Sequence, residues 1–302
     1  MSKINSKIEI AFLLPVYNCA VSIEKTLLSI FNQDFKDFKI YIINNGSTDN
    51  TDSIIKKYAL SDKRIKIYTL EKPNLTEALC FGIENIKEEF IMRIDSGDSS
   101  DYDRASKTLN FMKENPNCAI SYTEWFSQDK NKLNLNELPN LIKRKDLFFK
   151  NKISHGTICI RKSILKKCNF NYCGFGKKYF YNGPSQDLLL LSIAKFVFNL
   201  NISKIPNTKS EITFDIKDSI SNIYKKEQRI VASKILITNN IKCLSSSDDL
   251  SIKVLSLVAV LLNFVRLIKY KEPLFNISRL IFFLITQNIN DNYIYQKVLN
   301  LN

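Results

Sequence analysis

Apolar and polar positions alternate between two periods along the first half of the chain. Short apolar runs at 8–14, 39–43, 65–69 and 89–94 have the length and β-branched content of buried strands. Between them, residues 21–32, 50–60 and 75–86 repeat apolar positions every three or four residues, as helices do. This alternation predicts an α/β fold with a mostly parallel sheet flanked by helices. Ser22 and Asp49 stand where two of the helices need N-caps. A further helix over 103–114 ends at Asn115-Pro116, and 118–122 reads as a strand. Beyond 124 the pattern loosens. It predicts a helix near 141–150, a strand at 157–160 and a lid-like loop from Gly174 to Pro184, then helices near 186–198 and 218–237.

The last sixty residues change character, with strongly apolar stretches at 252–268 and 274–285 separated by Lys269-Tyr270-Lys271-Glu272-Pro273. Lys253, Asn263 and Arg266 interrupt the first, and the second is too short to span a bilayer. Basic amphipathic helices of this kind suit an anionic membrane surface. Packing on the rest of the chain, or on a second copy in a homo-oligomer, would serve equally.

Three strands run into polar clusters at their carboxyl ends. They are Pro15-Val16-Tyr17-Asn18, then Asn44-Asn45-Gly46-Ser47-Thr48-Asp49, then Arg93-Ile94-Asp95-Ser96-Gly97-Asp98. Ligands of open α/β sheets bind outside the carboxyl ends of strands, so the three clusters imply one composite site. Hard carboxylate oxygens there suit Mg²⁺ or Mn²⁺ bridging to a diphosphate.

In this order the motifs resemble the inverting glycosyltransferases of family 2. That resemblance covers roughly the first 220 residues. It implies a GT-A fold with a Rossmann-like nucleotide-binding half at 1–122, an acceptor half at 123–240 and a helical C-terminal extension at 241–302. It also implies a nucleotide-sugar donor, UDP-linked or alternatively thymidine-linked, and a Mg²⁺ or Mn²⁺ cofactor. By the same resemblance Pro15, Val16, Tyr17, Asn18, Glu24, Asn45, Asn74, Arg93 and Asp95 bind the donor, Asp95 and Asp98 hold the metal, and Asp187 is the catalytic base. Lys72, His155 and Gln186 stand in support.

The chain departs from the family pattern at two acidic positions, which are Asn45 and Gly97 here. Each residue also has an ordinary structural reading: a turn for Asn18 and Gly46, an N-cap for Asp49, an ion pair for Arg93, a helix-dipole partner for Asp187. Processive members carry Gln-x-x-Arg-Trp, whereas the only tryptophan here, Trp125, has no such neighbours. Transfer of a single sugar is therefore expected, to a glycan or lipid-linked glycan acceptor of a surface polysaccharide. A non-catalytic glycan-binding or scaffold protein with a degenerate site is the alternative.

Composition narrows the chemistry. A net charge of +14 on 302 residues favours anionic partners, among which nucleic acid has charge alone in its favour. His155 is the only histidine, which excludes multi-histidine metal cages and HExxH proteases. Neither GxGxxG nor GxxxxGK[ST] occurs, against dinucleotide and P-loop readings. Seven cysteines without paired CxxC spacing argue against a disulfide framework or a zinc site, and Cys168 and Cys173 read as free thiols. With a polar start lacking a signal-like apolar core, this predicts a cytoplasmic protein, peripheral on the inner face of the cytoplasmic membrane.

Overall fold

A computed structural model describes residues 9–127, 138–148, 151–169, 174–175, 179–180, 185–213, 225–270 and 280. The chain falls into two compact units, each assembled from separate stretches. The first comprises Met1–Leu141, Ile153–Cys168 and Ile202–Phe214, and the second Ile142–Lys152, Asn169–Asn201 and Asp215–Asn302.

The first unit carries an eight-stranded sheet. In chain order its elements are β1 (Ile10–Val16), α1 (Ile23–Phe31), β2 (Phe38–Asn45), α2 (Thr51–Ser61), β3 (Ile65–Leu70), α3 (Leu75–Asn85), β4 (Phe90–Arg93), β5 (Ser99–Ser100), α4 (Arg104–Glu114) and β6 (Cys118–Phe126). A 3₁₀ turn at His155–Thr157, β7 (Ile158–Arg161) and α5 (Lys162–Cys168) follow, and β10 (Asn201–Glu211) closes the unit. The strand order is β3-β2-β1-β4-β7-β6-β10-β5.

The expectation of a mostly parallel sheet holds for one half. β3, β2, β1 and β4 run parallel, whereas β7 is antiparallel to both β4 and β6, and β5 is antiparallel to β10. The sheet is therefore mixed.

Ile10, Phe12 and Leu14 of β1 alternate onto one face and pack with Ile40, Ile42 and Met92 beneath Ile23, Leu27, Ile30, Ile55, Leu109 and Met112 of α1, α2 and α4. Leu13 points to the other face, against Gly82 of α3, where an added Cβ would lie 2.3 Å from Leu13 Cδ1. Contrary to expectation, Ser22 makes no side-chain cap, and the N-cap position of α2 is Asn50, with Asp49 one residue earlier accepting from Thr51 N–H at 3.0 Å through Oδ1.

The second unit holds a 3₁₀ turn at Arg144–Leu147 where the sequence predicts a longer helix. The backbones of β8 (Gly174–Phe175) and β9 (Tyr179–Phe180) pair in the region expected to be a loop, whose other residues lie outside those described. Then come α6 (Gln186–Ser192), extended by one π-turn to Val197, α7 (Lys225–Ser246) and α8 (Leu250–Lys269). The apolar stretch at 274–285 falls outside the described residues except Leu280.

α8 is built inside out. Its buried residues are Ser256, Ala259, Val260, Asn263 and Leu267, whereas Leu250, Val254, Leu257, Leu261, Val265 and Ile268 are among the large apolar side chains left exposed. Asn263 meets its buried polar need within the helix, donating to Ala259 O at 2.8 Å. At 20 residues and a mean hydropathy of 2.0, α8 is long and apolar enough to cross a membrane by length and composition alone. Cys19, Cys118, Cys159, Cys168 and Cys243 are free thiols, but Cys80 on α3 is disulfide-bonded, which the cysteine spacing gave no reason to expect.

Candidate active site

Register brings the three strand-end clusters of the first unit to one edge. Val16 stands beside Asn44, Asn45 beside Leu70, and Leu13 beside Arg93. Tyr17 and Asn18 follow β1, with Asn18 in the left-handed region at φ 44°. Its Oδ1 accepts from Thr48 N–H at 2.8 Å, which ties the first cluster to the second. Asn45 Oδ1 accepts from Asn74 N–H at 2.8 Å, and Asn74 Oδ1 caps α3 by accepting from Glu77 N–H at 3.1 Å. Two residues assigned to the donor thus also hold one another's loops. Glu24 is exposed and accepts from Tyr58 O–H at 3.2 Å, and Lys72 is exposed after β3.

The turn after β4 is the chemical centre. Asp98 N–H donates to Asp95 O at 3.1 Å, and Gly97 sits at φ 95°, a backbone conformation that favours glycine. That conformation accounts for the glycine in place of an acid. The turn is clamped from two sides. Thr26 of α1 accepts from Gly97 N–H and donates to Asp98 O, both at 2.8 Å. Beyond β10, Thr213 O–H donates to Gly97 O at 2.7 Å and its N–H donates to Asp98 Oδ1 at 2.9 Å.

Arg93 is wholly buried and donates to Leu13 O, Ile94 O and, at 2.5 Å, Asp95 Oδ1. The ion pair with Asp95 is thus its structural role. Arg93 also lies 3.3 Å from His155 Nδ1. A guanidinium can only donate, so that nitrogen accepts and a neutral imidazole carries its proton on Nε2. Burial, then the charge of Arg93, drives the His155 pKa down in agreement. Burial opposes the charge on Asp95, but the Arg93 guanidinium holds its carboxyl below the usual range. Asp98 is 4% exposed, and burial together with the Asp95 charge pushes its pKa up to about 8. Arg104 of α4 is buried and donates to Ser100 Oγ at 2.9 Å and to Arg93 O at 2.8 Å, a scaffold role.

These groups fit a divalent cation. Asp95 Oδ1 is taken by Arg93 and Asp98 Oδ1 by Thr213, which leaves Oδ2 of each turned toward Gly156. A Cβ at Gly156 would lie 2.7 Å from Asp98 Oδ2 and 3.3 Å from Asp95 Oδ2. Two carboxylate oxygens therefore converge on a space that only glycine leaves open, and both are hard ligands of the Mg²⁺ and Mn²⁺ type. No group of three His, Cys, Asp or Glu side chains able to hold a metal occurs among the described residues. A pair of carboxylates suits an ion completed by phosphate oxygens.

Asp187 and Gln186 belong to the second unit. Gln186 is buried, and Asp187 opens α6 half-buried, its Oδ2 accepting from Asn151 Nδ2 at 3.0 Å. Ser185 before them adopts the left-handed conformation at φ 63°. Sequence reasoning missed Gly156, Thr26 and Thr213. Only Gly156 carried a signal, as one of just seven glycines and directly after His155.

The model of "Glycosyl transferase family 2" matches residues 12–168, just over half the chain. An uncharacterized glycosyltransferase of Haemophilus influenzae is 33% identical over 107 residues, 35% of this chain and 43% of that protein. The O-antigen biosynthesis glycosyltransferase WbnJ of Escherichia coli is 32% identical over 185 residues, 60% of this chain and 70% of its own length. The chain thus spans less than half of the first relative and over two thirds of the second.

Among solved structures, S. aureus TarS 1–349 in complex with UDP aligns at a TM-score of 0.54 and 16% identity, over 95% of this chain and 78% of that one. The mannosyltransferase PcManGT of Pyrobaculum calidifontis, in complex with GDP-Man and Mn²⁺, aligns at 0.56 and 13%, over 96% and 84%. Similarity at these identities speaks for the GT-A fold. The extent of the match in sequence, on a fold these enzymes share, makes the chain a member of glycosyl transferase family 2.

Proposed function

We propose that the protein is an inverting, non-processive glycosyltransferase that moves one sugar from a nucleotide-diphosphate donor, a UDP-sugar, to a glycan or lipid-linked glycan acceptor in surface polysaccharide synthesis. The observation that carries this reading is the convergence of Asp95 Oδ2 and Asp98 Oδ2 beside Gly156 at the carboxyl edge of the parallel strands. Mg²⁺ or Mn²⁺ held by Asp95 and Asp98 would offset the charge that develops on the departing diphosphate. Arg93 fixes the Asp95 carboxylate, and Thr26 and Thr213 fix the turn that carries Asp98. The strand-end groups from Pro15 to Asn18, with Asn45 and Asn74, frame the nucleotide. Asp187, oriented by Asn151, takes the proton from the acceptor hydroxyl as its oxygen attacks the anomeric carbon. UDP and GDP-Man in related folds support a nucleotide-sugar donor, and WbnJ supports a surface-glycan acceptor.

In this reading residues 1–240 form the transferase, and the helical remainder brings it to the inner face of the cytoplasmic membrane through the exposed apolar face of α8. Assaying donor hydrolysis and transfer with a panel of nucleotide sugars, with and without Mn²⁺, tests the proposal. Turnover of one UDP-sugar that chelator abolishes is the expected result. Glycan binding with no turnover of any donor would instead favour a non-catalytic scaffold.

A further inference from the structure

We propose that the second unit binds the phosphate headgroup of an anionic membrane lipid in a cavity at the foot of α8, an inference that rests on reading α8 as the membrane-facing helix. The cavity has a volume of about 470 Å³, with Lys143, Arg144 and Lys145 in its wall together with apolar Phe148, Ile252 and Leu255. Lys143 caps the 3₁₀ turn that Arg144 and Lys145 open, and a phosphate accepts several charge-assisted hydrogen bonds at once. The Arg144 guanidinium lies 5.9 Å from the Phe196 ring centroid, a stacking contact that orients it without cancelling its charge.

Two described acids of this region hold backbone groups. Asp146 Oδ2 accepts from Lys143 N–H at 2.8 Å. Asp249, the one acid in the cavity wall, accepts from Ser251 N–H at 2.9 Å and Ser251 O–H at 2.7 Å as the N-cap of α8. The described wall holds three cations and one capping carboxylate.

The apolar surroundings select a lipid over a free phosphate. Leu255 belongs both to the cavity wall and to the exposed face of α8. Val258, Leu262 and Val265 continue from it at helical spacing, and all are exposed. A headgroup seated among the lysines would thus leave its acyl chains along this stripe, where a soluble anion would gain nothing.

Co-sedimentation of the full chain with phosphatidylcholine vesicles, with and without phosphatidylglycerol, tests the proposal. The cavity triple variant Lys143→Gln/Arg144→Gln/Lys145→Gln is compared with the helix triple variant Lys253→Gln/Arg266→Gln/Lys269→Gln, and thermal unfolding of each controls for folding. The preference for phosphatidylglycerol should fall by about tenfold or more in the cavity triple and much less in the helix triple. Equal loss in both triples would mean diffuse attraction and overturn the site. Unchanged binding by the cavity triple removes the site but leaves the membrane reading of α8. Absence of vesicle binding by the intact protein removes both.

Discussion

A methyl group at Gly156 would press on Asp98 Oδ2 and Asp95 Oδ2 together, so Gly156→Ala separates metal binding from folding. Overpacking there should cost about 1–3 kcal/mol of stability. Mn²⁺ affinity, read by electron paramagnetic resonance of the free ion, should fall by about tenfold or more, because both ligands must move. An unchanged Mn²⁺ titration would show that the ion binds elsewhere. Asp187→Asn keeps the shape of the side chain and its contact with Asn151 but removes its basicity. Turnover should drop by about 10²–10⁴-fold with UDP affinity retained, measured by single-turnover kinetics beside calorimetry. Motif residues were easy to find in the sequence because strand-end polar clusters stand out against apolar runs. Their partners were not. Thr26 and Thr213 reach the Asp95–Asp98 turn from elements far away in the chain, and no local pattern marks a threonine that will clamp a distant glycine.

Up to β4, strands and helices lie within about two residues of where periodicity puts them, since each is a clean apolar run or stripe. β10 was illegible for a physical reason. Its sequence, Asn201-Ile-Ser-Lys-Ile-Pro-Asn-Thr-Lys-Ser-Glu211, spaces its two isoleucines by three and places Asn207 at φ 56°, so strict alternation fails. α8 was legible as an apolar helix, but not which face it buries. That choice makes a test at the level of the element. Ala259→Leu on the buried side should cost about 1–3 kcal/mol in urea unfolding. Leu261→Ser on the exposed side should change stability by no more than about 0.5 kcal/mol, although it is the more drastic change in polarity. The reverse ranking would mean that the exposed face is packed in solution.

Over the whole molecule, neither compact unit is continuous in sequence: the first takes three separate stretches, the last of them ending at Phe214. The stretch that carries the family signature stops at residue 168, before β10 begins. In the sheet β10 sits beside β6, and just past β10 the Thr213 amide holds Asp98. A fragment cut at 168 would therefore bare one side of β6, a nine-residue strand, with its N–H and C=O groups unpaired. Such a fragment should elute as aggregate in gel filtration and bind Mn²⁺ poorly, whereas a chain extended past 213 and carrying the second unit should elute as a discrete species. The part of this chain that evolution has left recognisable is thus not a part that can be cut out and kept in solution: its sticky border is sealed by residues with no signature at all.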